Sequence, residues 1–523
     1  MKLAILKKVR VALSLAFFLW LSVLFFDIIH EIEPAWFDFP LYLQFIPSFL
    51  EFVSVPELAA AGFLIVIVLT LLFGRIYCSS ICPLGTLQDI INYIHRKIKR
   101  KKNFEYKKAN NYLRYGILGI AIAGVVFGLI TPLIVLDPYS NFMRMMSALV
   151  MPIAISINNL AAAITQPIGI HFFHRIDVVW AGWQIIAFPV VILLIIGIMT
   201  IWRGRLWCNT ICPVGVFLGL FSKYSLFKIR FAQAECTNCS LCEKRCKAEC
   251  IDYENMTVDD SRCISCFNCI QACPVRGLTY SYSETEGEVP EAEPVAASQR
   301  RRFINSLPGA VLGVGLVPML QTSNPYREKL RQQLGAERRK PATPPGSIST
   351  DNFNSRCTAC HACVAVCPTN VIQPAWTDHG IEHMLQPKMD YHAGYCNYDC
   401  VRCSEICPTG AIRPIAMEEK KRIQIGIAEL IKSQCIVYAD RTDCGACAEH
   451  CPTKAVHMVP WRDNLRVPRI RENTCVGCGA CEYACPTNPR AIFVVRNEEH
   501  LTADEPKFDK IDREVDEEED FPF

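Results

Sequence analysis

The chain has no excess of charge of either sign. Its 54 Lys and Arg nearly balance 51 Asp and Glu, leaving a net charge of +3, so no global field selects a polyanionic partner such as nucleic acid, and any steering must come from local patches. Charge is scarce altogether: 20% of the 523 residues are charged and 51% are hydrophobic, with mean hydropathy +0.20. That excludes a disordered chain and, at this length, a single compact soluble domain. No small-residue cleavage site follows the first apolar run before His30-Glu31-Ile32-Glu33-Pro34, so the run is expected to stay as a membrane span rather than be removed as a signal peptide. Cysteine, by contrast, is abundant. The 29 residues are tightly and regularly spaced and usually followed by proline, the pattern of cluster ligands rather than of a secreted disulfide scaffold.

Four apolar stretches, Val11 to Ile29, Leu58 to Phe73, Tyr115 to Leu136 and Val178 to Trp202, approach the roughly 20 helical residues that cross a bilayer core of about 30 Å. Basic residues are retained in the cytoplasm. Lys2, Lys7, Lys8 and Arg10 precede the first stretch, and the loop from His30 to Glu57 has no Lys or Arg. The loop from Arg96 to Lys108 is strongly basic, Asp137 to Asp177 holds only Arg144 and Arg175, and Arg203, Arg205, Lys223, Lys228 and Arg230 follow the fourth stretch. This alternation predicts a cytoplasmic N-terminus and four crossings. Ala148 to Ile170 is uncharged but holds Pro152, Asn158, Asn159, Gln166 and Pro167, and is read as interfacial or re-entrant; were it to span, everything downstream would change sides.

The second and fourth stretches lead into GRIYCSSICPLG (Gly74 to Gly85) and GRLWCNTICPVG (Gly204 to Gly215), which makes the first 230 residues an internal repeat of two hairpins, each ending in CxxxCP. Proline favours the first helical turn, so Cys82 and Cys212 are expected to cap the helices that follow, where the helix dipole lowers a thiol's pKa. With both motifs at one face, Cys78, Cys82, Cys208 and Cys212 can converge on one redox or metal site. The competing reading is small packing residues or a structural disulfide.

Six cysteine quartets follow. The first two are Cys236, Cys239, Cys242 and Cys246, and Cys263, Cys266, Cys269 and Cys273. The other four are Cys357, Cys360, Cys363 and Cys367; Cys396, Cys400, Cys403 and Cys407; Cys435, Cys444, Cys447 and Cys451; and Cys475, Cys478, Cys481 and Cys485. Three thiolates within seven residues wrap one face of a [4Fe-4S] cubane, and in two-cluster ferredoxins the fourth ligand comes from the partner motif. Cys273 is therefore expected with Cys236, Cys239 and Cys242, and Cys246 with Cys263, Cys266 and Cys269. The first quartet has Lys247 where proline is usual, and an extra Cys250 that is either a substitute for Cys246 or a buried thiol. Pairing among the last four quartets stays open. Zinc sites assemble separated CxxC pairs or mix in histidine, so six quartets favour six [4Fe-4S] clusters. Cys357-Thr358-Ala359-Cys360-His361 also matches c-type haem attachment, but its cysteines belong to a complete quartet. The quartets use 24 of the 29 cysteines, and the rest are Cys250 and the CxxxCP residues.

The expected organisation is thus an α-helical membrane domain (1–230; four spans, two-hairpin repeat) followed by α+β bacterial-type ferredoxin modules. These are a cytoplasmic two-cluster domain (231–282), a linker (283–302), a fifth membrane segment (303–320), a second linker (321–350), a four-cluster polyferredoxin domain (351–500) and an acidic tail (501–523). The linker carries Gln299-Arg300-Arg301-Arg302-Phe303-Ile304-Asn305 ahead of an apolar run to Leu320. Twin arginines in that setting resemble a Tat export signal, a route that carries folded, cluster-loaded cargo; the basic residues Arg327 to Lys340 beyond the run argue against export.

On these motifs, Met1 to Tyr280 resembles the NapH-type membrane ferredoxins of periplasmic nitrate reductase systems. Ser298 to Arg496 resembles the NapG-type exported polyferredoxins, here fused where the family has separate subunits. Related membrane domains occur in NosR, whose flavin domain has no counterpart here, and in the copper reductase CcoG. The resemblance implies a multi-pass inner-membrane electron-transfer protein of anaerobic respiration, a quinol dehydrogenase taking electrons from the quinone pool. Its acceptor would be a periplasmic oxidoreductase or cytochrome, reached from a periplasmic C-terminal domain, within a larger membrane complex. Asp27, His30, Glu31, His171 and His174, near the outer ends of the stretches, are candidates for the quinol site. The alternatives are a cupric or other metal reductase serving cofactor assembly through CxxxCP thiolates, and a structural electron-transfer subunit.

Overall fold

A computed structural model describes residues 2–27, 31–54, 61–98, 104–169, 173–176, 182–282 and 340–506. The twin-arginine motif, the apolar run 303–320, and His30 and His171 lie outside the described residues, as does the tail from 507.

The N-terminal half is helical. The helices that organise it are α1 (Lys2–Val23), α2 (Phe45–Ser54), α3 (Gly62–Phe73), α4 (Pro83–Ile98), α5 (Asn111–Val126), α6 (138–168), α7 (Trp183–Arg203) and α8 (Pro213–Ser222). Local chemistry sets their ends. Asn110 caps α5 by accepting the Leu113 N–H at 3.2 Å, which satisfies one of the orphan donors of a first turn. Gly74 and Gly204, the glycines of the two GR pairs, terminate α3 and α7 in positive φ (+77° and +62°); at Gly204 a Cβ would also meet the Lys247 carbonyl oxygen at 2.4 Å. Among the described residues α6 and α7 are long and apolar enough to cross a membrane, while α3 and α5 are shorter apolar helices. Their outward faces are apolar, with Val68, Ile120, Ile157, Leu194 and Ile198 all exposed.

The segment expected to be interfacial or re-entrant is helical over residues 148–168, continuing α6 rather than forming a re-entrant loop. Met146–Val150 forms a π-helical turn directly before Pro152, and an extra residue per turn is a common way to absorb a proline that has no N–H to give. The polar residues fasten the returning loop. Asn158 and Asn159 donate to the carbonyls of His174 and Ile176 at 2.7 Å each, and Gln166 to that of Phe173 at 3.3 Å.

The two ferredoxin regions sit at opposite ends of this bundle. The first is closed by β1 (Phe227–Phe231) pairing antiparallel with β4 (Leu278–Tyr282), around the β2–β3 hairpin (Ile251–Asp252, Thr257–Val258). It meets the start of α1 through Lys7 and Gln271, the end of α3 through Phe73 and Ser265, the start of α5 through Arg114 and Ser261, and the end of α7 through Arg203 and Glu249. The start of α1 and the end of α7 therefore lie at the same end. The second region meets the other end, where Ile32, Thr131 and Ser140 bond Arg402, Glu382 and Thr358. It is built from short antiparallel pairs: β5 (Ile372–Pro374) with β6 (Pro387–Met389), β8 (Val456–Pro460) with β9 (Arg466–Ile470), and β7 (Ile423–Leu430) with β10 (Ile492–Thr502). Its limits are wider than 351–500. Ala342 and Thr343 are buried, the Ala342 carbonyl accepts the Met389 N–H, and β10 runs to Thr502.

Candidate redox sites

The cysteines gather in crossed sets. Cys236, Cys239, Cys242 and Cys273 line one cavity of about 330 Å³. Cys246, Cys263, Cys266 and Cys269 line a second of about 300 Å³, together with Cys250. Cys435, Cys444, Cys447 and Cys485 line a third of about 360 Å³. The same exchange of the fourth cysteine holds elsewhere. Cys407 lies within electrostatic reach of Cys357, Cys360 and Cys363; Cys367 of Cys396 and Cys403, with Cys400 beside them; and Cys451 of Cys475, Cys478 and Cys481. The pairing left open by spacing is therefore first with second and third with fourth.

The donor chemistry fits a polynuclear thiolate-bound group better than one ion. Among the described residues no three His, Cys, Asp or Glu side chains close on a point as a single ion requires; the thiols surround cavities instead. In the four regularly spaced loops the residues on both sides of the second cysteine are left-handed: Asn238 and Ser240, Ser265 and Phe267, Ala359 and His361, Gly477 and Gly479. For the non-glycine residues this conformation costs about 1 kcal/mol each, and it curls the loop so that its thiols face one cavity. Backbone N–H groups point at the fourth sulfur, from Gly277 to Cys273 at 3.2 Å, and from Ile412 to Cys407 and Val456 to Cys451 at 3.4 Å. His361 of the CxxCH sequence is buried and bonds the Leu385 carbonyl through Nε2 at 2.9 Å, so that nitrogen is engaged by the backbone rather than presented to a haem iron.

The sets of the second region form a line. Cys363 neighbours Cys403, Cys396 neighbours Cys478, and Cys481 neighbours Cys447. The order from the helical bundle outward is therefore the Cys357, Cys396, Cys475 and Cys435 sets.

Between the two regions lies the CxxxCP quartet. Cys78, Cys82, Cys208 and Cys212 are each buried to 3–4% exposure and interact with one another electrostatically. Cys212 caps α8, its Sγ accepting the Gly215 N–H at 3.4 Å, and Gln88 donates to Cys208 Sγ at 3.4 Å. The expected fall in thiol pKa does not occur. Burial pushes Cys78 up to about 11 and raises Cys82 and Cys212 as well, because loss of solvation outweighs the helix terminus.

Spacing gave no warning of the cations around this quartet. Each GR arginine reaches into the other half of the repeat: Arg205 donates to the Cys78 carbonyl, and Arg75 to the Gly215 carbonyl and to Asn209. Asp89 of α4 receives Arg10, Arg205 and Lys247. Burial alone would raise its pKa; the three cations overcome that and hold it at about 2. Lys247 thus ties the first ferredoxin loop to α4, which accounts for the proline missing there. Arg75 is fully buried, and among the described residues no carboxylate pairs with it. The readable signal was the GR pair repeated before each CxxxCP.

The quartet connects towards the second region. Tyr77 lies in the field of both Cys82 and Asp137, and Tyr139 and Arg144 lie beside Cys360. One hydrophobic core is continuous from Cys246 and Cys266 through all four CxxxCP cysteines to Cys357, Cys360 and Cys363.

Comparison with known proteins finds 4Fe-4S domains in both halves of the chain. Residues 57–102 and 185–232, which hold the two CxxxCP motifs, match a 4Fe-4S binding domain family, and residues 356–411 and 440–488 match a 4Fe-4S dicluster domain family. An uncharacterized protein of Methanocaldococcus jannaschii is 26% identical over 228 residues, 43% of this chain and 79% of its own length. YccM of Escherichia coli K12 is 24% identical over 232 residues (44% and 58%), and the ferredoxin-type protein NapH of Haemophilus influenzae is 25% identical over 228 residues (42% and 66%). No solved structure matches the chain. The protein is an iron–sulfur electron-transfer protein with 4Fe-4S binding domains. More particularly, it is related to the NapH-type ferredoxin proteins, and a polyferredoxin fused to such a domain is consistent with its C-terminal half.

Proposed function

We propose that the protein is a membrane-bound quinol dehydrogenase component, which draws electrons from the quinol pool and delivers them through [4Fe-4S] clusters to a periplasmic oxidoreductase or cytochrome. The observation that carries this reading is the linear order of the cysteine sets, beginning against the helical bundle and ending at the Cys435 set. Tunnelling falls steeply with distance, so neighbouring sets suit relay rather than chemistry on a bulky substrate. The six crossed sets are read as six cluster sites; bound clusters supply one-electron uptake and release, and the protein fixes their spacing and potential. The basic loops at the N-terminal end support a cytoplasmic first module and a periplasmic polyferredoxin module.

The CxxxCP quartet is read as a seventh cluster site, which would bring the two modules into one electronic path. Arg75 and Arg205 are buried beside its thiols, and among the described residues no carboxylate pairs with Arg75, a positive charge that cluster-bound thiolates would offset. This favours a cluster over a reductase for free copper ions, which would be better served by open, solvent-reachable thiols.

The test is made on anaerobically purified protein of confirmed cluster content, adding a reduced menaquinol analogue and following the visible cluster absorbance. Bleaching that a quinol-site inhibitor abolishes is expected. Clusters that dithionite bleaches and quinol does not would overturn the quinol reading.

A further inference from the structure

A cavity of about 1630 Å³ opens where the segment after α1 meets the second ferredoxin region, lined on one side by Asp38, Tyr42 and Glu51 and on the other by Arg402 and Cys407. Cys407 belongs to the set that stands first in the line of cysteine sets, so a molecule in this cavity touches a cluster ligand. From the mouth an aromatic strip leads along α1: Phe39, more than half exposed, packs on Phe17 at 6.2 Å and Trp20 at 6.0 Å. Arg402 bridges the two walls by donating to the Ile32 carbonyl at 3.3 Å. Of the residues singled out from sequence for this role, His30 and His171 lie outside the described residues and the other three do not line the cavity. The Asp27 carboxylate accepts the Glu31 and Ile32 N–H groups at 3.0 Å, while Glu31 and His174 are exposed.

We propose that this cavity is the quinol oxidation site, with Glu51 as the proton acceptor and the Cys357, Cys360, Cys363 and Cys407 set as the point of electron entry. The proposal rests on the quinol reading above and gives it a location. An apolar strip suits an isoprenoid tail, and a carboxylate facing a cluster ligand suits a dihydroxy-aromatic head that must lose protons and electrons together. The balance closes within the chain: the quinol loses two protons and two electrons and leaves as quinone. The electrons go singly to oxidised clusters of the first two sets, and the protons pass by Glu51 and the exposed Asp38 to solvent. Burial, and then the Asp38 charge, push Glu51 up to about 7, so it changes state within the working pH range. Glu33, Asp38, Glu405 and Arg402 are the other charged groups facing it across the cavity.

The experiment uses the full-length, cluster-loaded protein in detergent or nanodiscs. A photoreactive azidoquinone is expected to label peptides within 33–51 and 402–414, with displacement by an unreactive quinone analogue; labelling confined to other segments would overturn the location. Glu51→Gln is expected to slow quinol-driven bleaching at least tenfold and to flatten its rise with pH near 7. Ala35→Trp, which narrows the cavity, is expected to abolish labelling, and dithionite bleaching stays intact in both. Should the unmodified protein bleach with quinol while both variants behave like it, the location falls and the quinol reading stands. Should the unmodified protein itself fail to bleach, the quinol reading falls first.

Discussion

Replacing both Cys82 and Cys212 with alanine distinguishes a seventh cluster from a packing role for the CxxxCP thiols. Six crossed sets, if each takes a [4Fe-4S] cluster as proposed, would hold about 24 iron atoms per chain, and a cluster on Cys78, Cys82, Cys208 and Cys212 would raise this to about 28, with labile sulfide in equal number. Removing two of its four ligands should lower both counts by about four and leave the six other sites filled, because none of their cysteines is touched. The charge arithmetic predicts a second consequence. A cubane with four thiolates carries a charge of about −2, set against Arg75 and Arg205, the two cations in the field of Cys78, of which only Arg205 also has a carboxylate, Asp89, among the described residues. Losing the cluster leaves buried cations without a counter-charge, at a cost of about 3–5 kcal/mol for breaking a buried pair. Trimming two thiols in a core costs about 1 kcal/mol each by comparison. The variant should therefore unfold at clearly lower temperature, and adding Arg75→Met should recover part of the loss. Iron and sulfide assays with spin quantitation by electron paramagnetic resonance read the first result, and thermal unfolding in detergent reads the second. Equal iron in the two proteins, with no stability change beyond the packing term, would refute the cluster and leave the thiols as core residues.

Asp89→Asn removes the carboxylate that holds Arg10, Arg205 and Lys247, and should cost about 3–5 kcal/mol, seen as lower yield and lower unfolding temperature, whereas Tyr93→Ala at an exposed position of the same helix should cost far less. Cys250→Ala should keep the full iron count and Cys246→Ala should lose about four irons; the reverse would make Cys250 the ligand, as its 3.5 Å approach to Cys246 Sγ permits. Burial holds His379 and His500 at about 4, so both stay neutral in the fold while the unfolded chain takes up protons below about 6.5. Their contribution is complete above that value and is lost as pH falls towards about 4, roughly 3 kcal/mol each at most. Unfolding of the polyferredoxin region should therefore become easier across that window, and less so in His379→Gln.

How much of this was legible in the sequence depends on the range of the chemistry involved. The cysteine sets are local: three ligands fall within one short loop, so spacing announces them, and the exchange of the fourth follows once two loops are taken as a unit. The longer gaps before Cys400 and Cys444 concealed which loops are units, and only the fold joined Cys407 to Cys357 and Cys485 to Cys435. Longer-range contacts left fainter marks. Arg75 and Arg205 are visible as a repeated GR pair, but that each serves the opposite half of the repeat follows from packing, and Asp89 looks like any charge on an amphipathic helix. Pro152, Asn158 and Asn159 suggested an irregular segment, because sequence alone cannot show that a π-turn absorbs the proline and that the amides bind a returning loop. Of the quinol candidates, Asp27, Glu31 and His174 do not line the proposed cavity, and His30 and His171 lie outside the described residues. They were sought at the ends of single helices, whereas the proposed site draws its proton acceptor and its cluster ligand from two modules. Glu51 and Cys407 meet across the cavity from positions more than three hundred residues apart. On the proposed reading the fusion of the two parts in one chain has a physical reason: the electron-entry point would be made of both, and a covalent link would keep its two walls at high effective concentration.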